Sequence, residues 1–276
     1  MSETFYDASN LSISNGFGRN RDRYYLEEYF KRRPALNADI SNSAEGTRMI
    51  ANPDFEILGT NASSNDVTFS DSEAGITLET DGADSDQVIV LPHLDSNQTA
   101  WSGIKWGTEN QVEWECALRT GASIADTSFW AGLKLTNTGA YATNDDQAYF
   151  LYASDDDQGA LTTNANLHFV YSVGGTDYIT DLGIAVAAST TYKFRISIDS
   201  DRKISIFVAD GTSVMTQYGL VTSATAGGAT QSTVSTKSNA LTNDIDLIPY
   251  VGVQAHAASA KAITLCYEKI SRILFE

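Results

Sequence analysis

The sequence predicts an all-β protein, an antiparallel jelly-roll sandwich with an extended N-terminal arm that holds one short helix. Three observations predict it. In Thr190–Asp210 the residues Tyr192, Phe194, Ile196 and Ile198 alternate with Lys193, Arg195, Ser197 and Asp199. Ile204, Ile206 and Val208 then alternate with Lys203 and Ser205 after a short Asp-Ser-Asp-Arg connection. Period-two alternation places one set of side chains on each face of a strand, and a short polar turn makes the two strands antiparallel neighbours. Second, from Asn52 onward short apolar runs are separated by Asn, Ser, Asp and Gly clusters with no helical period between them. Third, that pattern continues to the end of the chain, which excludes a βαβ architecture.

Taken in order, residues 1–50 read as the arm and 51–276 as the sandwich. The arm's helix is expected over 22–33: Asp22 can cap it, Lys31, Arg32 and Arg33 suit its C-terminal dipole, and Pro34 stops it. Tyr25, Leu26, Tyr29 and Phe30 form its apolar stripe. Short strands follow at Phe55–Gly59, Val67–Ser70, Ile76–Thr80 and Gln87–Leu91. Longer ones are read at Gln111–Arg119, Ser128–Thr136, Ala148–Ala153 and Leu167–Val173. After the hairpin come Leu247–His256 and Lys261–Phe275, the last of which needs one of the first strands to pair with. Sixteen of the 22 residues from Thr222 to Asn243 are Ala, Gly, Ser or Thr, a composition that cannot build a core of its own.

Charge narrows the partners. The formal net charge is −17, and residues 1–48 carry seven basic and seven acidic groups, so the body holds all of it. An acidic body disfavours nucleic-acid backbones and anionic membranes, and no apolar run is long enough to cross a bilayer. The start, MSETFYDASNLSIS, has no signal-like basic and apolar regions, so synthesis in a cytoplasm is expected. Cys116 shares a face with Val112, Trp114 and Leu118, whereas Cys266 lies opposite Ile263, Leu265 and Tyr267. The two thiols are therefore not expected to pair.

Few residues offer chemistry. Glu113 and Glu115 share one face of a strand, the minimum for a two-carboxylate glycosidase, but Ala117 occupies the position where a third carboxylate would stand. Asn144, Asp145 and Asp146 with Asp155, Asp156 and Asp157 could offer hard oxygens to calcium but lack any EF-hand spacing. His93, His168 and His256 are far apart and have no zinc-type spacing. No Gly-x-Ser-x-Gly elbow, phosphate loop or dinucleotide fingerprint is present. No metal, cofactor or catalytic set is expected. Trp114 follows the core alternation, while Trp130 lies opposite Phe129 and Leu133 and is the candidate platform for a glycan or an interface.

The stretches FWAGLKLTN, YSVGGTDYITDLGIAVAASTTYKFRISIDSDRKISIFVADG and LIPYVGVQAHAASAKAITLCYEKISRI resemble concanavalin A-like (laminin G-like) jelly rolls. Similar wording is typical of structural proteins of tailed bacteriophages, in which such modules decorate capsids or form fibres and tails. The resemblance, together with the missing catalytic set, implies a non-enzymatic virion protein, a capsid decoration or cement protein made in the host cytoplasm. Its partners would be the major capsid protein or other virion proteins and sister copies. Arg19, Arg21, Arg23, Tyr24, Tyr25, Tyr29 and Phe30 would anchor the arm, since Arg and aromatic residues are the usual interface anchors. The alternative is a lectin-like module of a tail or head fibre that binds a surface glycan.

Overall fold

The computed structural model describes residues 22–31, 36–37, 55–70, 75–92, 105–135, 145–155, 161, 164–221, 229–230 and 240–274. The strands are β1 (Arg23–Glu28), β2 (Leu36–Asn37), β3 (Phe55–Leu58), β4 (Val67–Ser70), β5 (Gly75–Glu79) and β6 (Gln87–Leu91). Then come β7 (Glu113–Thr120), β8 (Thr127–Lys134), β9 (Gln147–Ala153), β10 (Asn166–Val173) and β11 (Thr176–Ala185). The set closes with β12 (Thr191–Ile198), β13 (Ile204–Asp210), β14 (Thr216–Tyr218), β15 (Ala229–Thr230), β16 (Ile248–Ala255) and β17 (Ala262–Ile273).

They form two sheets. One runs β14-β13-β12-β7-β17-β5-β4, with β1 also paired to β17. The other runs β15-β11-β10-β9-β8-β16-β6-β3-β2. Every pairing is antiparallel except the two-residue contacts of β2 with β3 and β15 with β11. The sandwich predicted from alternation is the fold observed.

The hairpin sits where its alternation puts it. Tyr192, Phe194, Ile196 and Ile198 are buried, and Lys193 is exposed. Its turn is closed by Asp199, whose Oδ1 accepts from the backbone N–H groups of Asp201 and Lys203 at 2.9 Å each. Arg202 adopts a left-handed φ of 61° within that turn. Between the sheets, Phe150 of β9 stacks on Phe194 of β12 with ring centroids 4.6 Å apart. Each such fully buried side chain contributes about 1.5–3 kcal/mol.

The arm differs from expectation. Arg23–Glu28 is a strand, not the first part of a helix over 22–33, and it pairs along the C-terminal half of β17 from Arg23↔Ile273 to Glu28↔Glu268. The reason is tertiary. That half of β17 has a row of backbone donors and acceptors that only a strand can satisfy, and Tyr24 and Leu26 reach the core by period-two spacing. A turn follows, in which Phe30 takes a φ of 45° and its N–H donates to Glu28 Oε1 at 2.6 Å. Phe30 then packs on Phe55 with no exposed surface. The described part of residues 1–50 is thus built into the sandwich.

β17 carries a second departure. Leu265 pairs with Leu118 and Tyr267 with Ala117, so Cys266 is an extra residue, a β-bulge. It turns Tyr267 to the outer face, where simple alternation would have left it inside, and points Glu268 into the core. Cys116 and Cys266 are both free thiols. Glu268 Oε1 accepts from Trp114 Nε1 at 2.9 Å, while Oε2 has no hydrogen-bond partner. Burial pushes this carboxyl up from 4.5 to about 7, although the Trp114 hydrogen bond opposes the shift.

A raised carboxyl pKa in the folded state means that the fold binds the proton more tightly than the unfolded chain does. Glu268 therefore costs nothing below pH 4.5, costs progressively more as pH rises to about 7, and costs a constant amount above that. That ceiling corresponds to roughly 3 kcal/mol. Glu268→Gln keeps an acceptor for Trp114, so it should stabilise the protein above pH 7 and flatten the slope of stability between pH 4.5 and 7. Denaturant titrations of both proteins across that range measure this, and parallel pH profiles would refute it.

Candidate functional site

Two faces of the sandwich hold the residues with chemical potential. The first is the outer face of the sheet containing β12, β7, β17 and β1. The registers align Gln217, Phe207, Arg195, Glu115, Lys269 and Glu27 in one row across six adjoining strands. Within the row the charges alternate in sign. Arg195 Nε lies 3.6 Å from Glu115 Oε2, and its guanidinium lies 5.8 Å from the Phe207 ring centre. Tyr267, brought outward by the bulge, donates its hydroxyl to Glu115 Oε1 at 2.7 Å. Burial and the Glu115 carboxylate both raise the pKa of that hydroxyl. Lys269 Nζ sits 4.8 Å from the Tyr267 ring centre and 5.1 Å from that of Tyr29. Tyr29 in turn donates to Glu27 Oε2 at 3.0 Å.

This geometry decides the carboxylate pair. Glu113 and Glu115 do share the outer face, as their spacing required. Glu115, however, stands between Arg195 and Lys269 and accepts the Tyr267 hydroxyl. These are not the apolar surroundings in which the general acid of a glycosidase sits.

The arm residues divide. Arg19 and Arg21 lie outside the described residues. Arg23 Nη2 donates to Ser271 Oγ at 3.0 Å and to the Gln111 carbonyl at 2.7 Å. Tyr24 meets Trp106 at 6.3 Å between ring centres. Phe30 is buried, Tyr25 is half-buried on the outer face, and Tyr29 is 38% exposed. Arg23, Tyr24 and Phe30 are therefore occupied in seating β1 on its own domain.

The second face is the outer side of the other sheet. Trp130, the candidate platform, is on this face but has no exposed surface. It stacks on Tyr250 with centroids 6.2 Å apart and belongs to a second apolar cluster with Ile89, Tyr149, Leu151 and Val170. Leu161, from the segment between β9 and β10, joins that cluster. Gly252, directly opposite Trp130, makes room for the indole: a Cβ there would lie 2.5 Å from Trp130 Cζ2. Lys134 is also fully buried, its Nζ 4.5 Å from the Tyr250 ring centre, and burial lowers it from 10.5 to about 7.

Polar pairs flank the rings. Ser128 Oγ lies 2.6 Å from His256 Nε2, and Gln87 Nε2 donates to Gln254 Oε1 at 2.8 Å. At the other end Gln147 Nε2 donates to Ser172 Oγ at 2.9 Å, and Ser172 donates to Asp177. The Ser128–His256 pair was not visible in sequence because 128 residues separate its members. A hydroxyl on an imidazole is the first half of a nucleophilic triad, yet Ser128 has no exposed surface for a substrate to reach. Asp145 and Asp155 are exposed and Asp146 is buried, while Asn144, Asp156 and Asp157 lie outside the described residues. Among the described residues no three His, Cys, Asp or Glu side chains gather as a metal centre. No helix among them is long and apolar enough to cross a membrane.

The chain matches no protein-family model and no curated protein. Its fold is similar to a protein of unknown function from Shewanella oneidensis MR-1, at 11% identity and TM-score 0.50 over 91% of this chain and 87% of that one. The Emp47p carbohydrate recognition domain aligns at 12% identity and TM-score 0.48 over 97% and 99% of the two chains. A Lotus tetragonolobus seed lectin aligns at 7% identity and TM-score 0.48 over 81% and 95%. At such identities the likeness is one of fold.

Both buried groups on the second face can be tested. Trp130→Ala empties a site that Gly252 and Tyr250 shape around the indole, so it should cost about 3–5 kcal/mol of stability in chemical denaturation. Lys134 has a lowered pKa in the fold, so its cost is full below about pH 7 and vanishes as pH rises through 10.5. Lys134→Met should therefore stabilise the protein most at neutral pH, with the gain shrinking toward pH 10. An equal gain at both pH values would refute the burial account.

Proposed function

We propose that the chain is a non-enzymatic structural protein of a tailed-phage particle, a capsid decoration or cement protein made in the host cytoplasm. The observation that carries the non-enzymatic half is the charge row: Glu115, the best placed carboxylate for catalysis, is engaged by the Arg195 guanidinium and by the Tyr267 hydroxyl. The particle half rests on the resemblance of the hairpin and closing strands to virion modules. The anchors to the major capsid protein or to sister copies would then be Arg19 and Arg21, which precede β1 in the chain, and separately the partly exposed ring of Tyr29, which follows it.

A second reading, a glycan-binding module of a fibre, is favoured by the three rings and polar pairs on the outer face of the β8–β9–β16 sheet. It requires that face to open, because Trp130 and Tyr250 are fully buried.

The expected outcome is that quantitative mass spectrometry of purified particles finds this protein at a copy number matching the capsid lattice. Deletion of residues 1–21 should abolish incorporation while leaving the sandwich folded, as circular dichroism would verify. Unchanged incorporation sinks the anchoring role, and absence from particles sinks the assignment. A glycan array that binds wild-type protein would favour the second reading.

A further inference from the structure

We propose that β1 is an exchangeable strand, and that its dock on the C-terminal half of β17 accepts β1 from a second copy of this chain. The argument begins with topology. β1 is an edge strand whose sole strand partner among the described residues is β17. It adjoins the sandwich through one side of its backbone, so it can leave without breaking any other pairing of that sheet. Its link to the rest of the chain is long: residues 32–54 separate it from β3. Fully extended, such a link reaches tens of ångströms, enough to bridge to a neighbour. Within the link, the described contact to be released is the two-residue pairing of β2.

The dock also specifies its occupant. Ser271 and the Gln111 carbonyl take an arginine at the position of Arg23. Trp106 faces an aromatic ring at Tyr24, Ile270 pairs with Leu26, and Lys269 takes an acid at Glu27. An Arg-Tyr-x-Leu-Glu segment fits this strip, and the chain has that segment in β1 itself. The occupant is therefore this chain's own β1 or the identical strand of another copy, with identical contacts in either case. Domain swapping is a low-cost route to oligomers because it reuses contacts that already exist.

Release exposes Tyr24, Leu26 and Phe30, so exchange is slow and is driven by high local concentration, as in an assembled lattice.

The inference does not depend on the particle assignment, since the test uses purified protein alone. Tyr25 and Ser271 are cross-strand partners on the outer face, within reach of a disulfide. In a Cys266→Ser background, Tyr25→Cys and Ser271→Cys chains are purified separately, mixed at high concentration, warmed and then oxidised. Exchange gives a reducible mixed dimer, and adding Leu26→Asp to the Tyr25→Cys chain abolishes it. The double variant Tyr25→Cys/Ser271→Cys, oxidised when dilute, should close within one chain and verify the dock. No mixed dimer after prolonged warming, with the double variant still closing, overturns the proposal. Failure of the double variant to close overturns it as well, by removing the pairing on which it stands.

Discussion

The structure depends on the placement of its last strand. β17 pairs with β7 along one side and with β5 and then β1 along the other, so it joins parts of the chain that are remote in sequence. None of these pairings can form until the C-terminal residues are in place. Most sheet contacts near β17 are therefore non-local, a topology that folds slowly because loop closure precedes any reward from contact. The bulge at Cys266 lies in the middle of this strand. It changes which residues face the core and which face solvent, and it thereby creates both the buried Glu268 and the outward Tyr267.

From that one extra residue follow the two electrostatic features of the sheet. Inside, Glu268 occupies a position where simple alternation would have placed Tyr267, and Trp114 supplies the single hydrogen bond that makes the burial tolerable. Outside, Tyr267 reaches Glu115 and covers Lys269. A buried carboxyl is expensive, and replacing such a group by a neutral one of the same shape is often neutral or stabilising. The buried Lys134 on the opposite sheet presents the same problem with the opposite sign, and the Tyr250 ring face offsets part of it. The fold is thus held by its apolar core in spite of these two groups.

The legible parts of the fold were those governed by local alternation. Tyr192 to Ile198 and Ile204 to Val208 specify a hairpin whatever surrounds them, and the turn chemistry of Asp199 agrees. The strand at Arg23–Glu28 was not legible, because Tyr25, Leu26, Tyr29 and Phe30 satisfy a helical stripe while Tyr24, Leu26 and Phe30 satisfy a strand. The choice lies with the unmatched edge of β17, almost the full chain length away. Trp130 was placed on the correct side of its strand, but alternation alone did not say whether that side is covered. The signal that decides it was present: β9, QAYFLYA, reads as a nearly continuous apolar run, and its seven residues are all buried. Such runs belong to strands covered on both faces. The bulge and the Ser128–His256 pair left no local trace, since each is a relation between distant strands.

The row from Phe207 to Glu27 bears on what the acidic body is for. Each cross-strand pair in such a row contributes only about 0.2–1 kcal/mol, and exposed ion pairs sit at the low end. Its effect on register is larger. A one-residue slip of β1 would turn Arg23, Tyr25 and Glu27 toward the core and Tyr24 and Leu26 toward water, so charge pattern and apolar pattern reject it together. Within the row Arg195, Glu115, Lys269 and Glu27 already have partners, so little of its charge is left to attract a ligand. Exposed groups among the described residues lie elsewhere as well, among them Lys193, Phe69, Val214 and Leu274. The net charge of −17 keeps the remaining surface from non-specific association. Among the described residues the charged row is satisfied within its own sheet, and β1 is the edge strand that β17 alone holds in place.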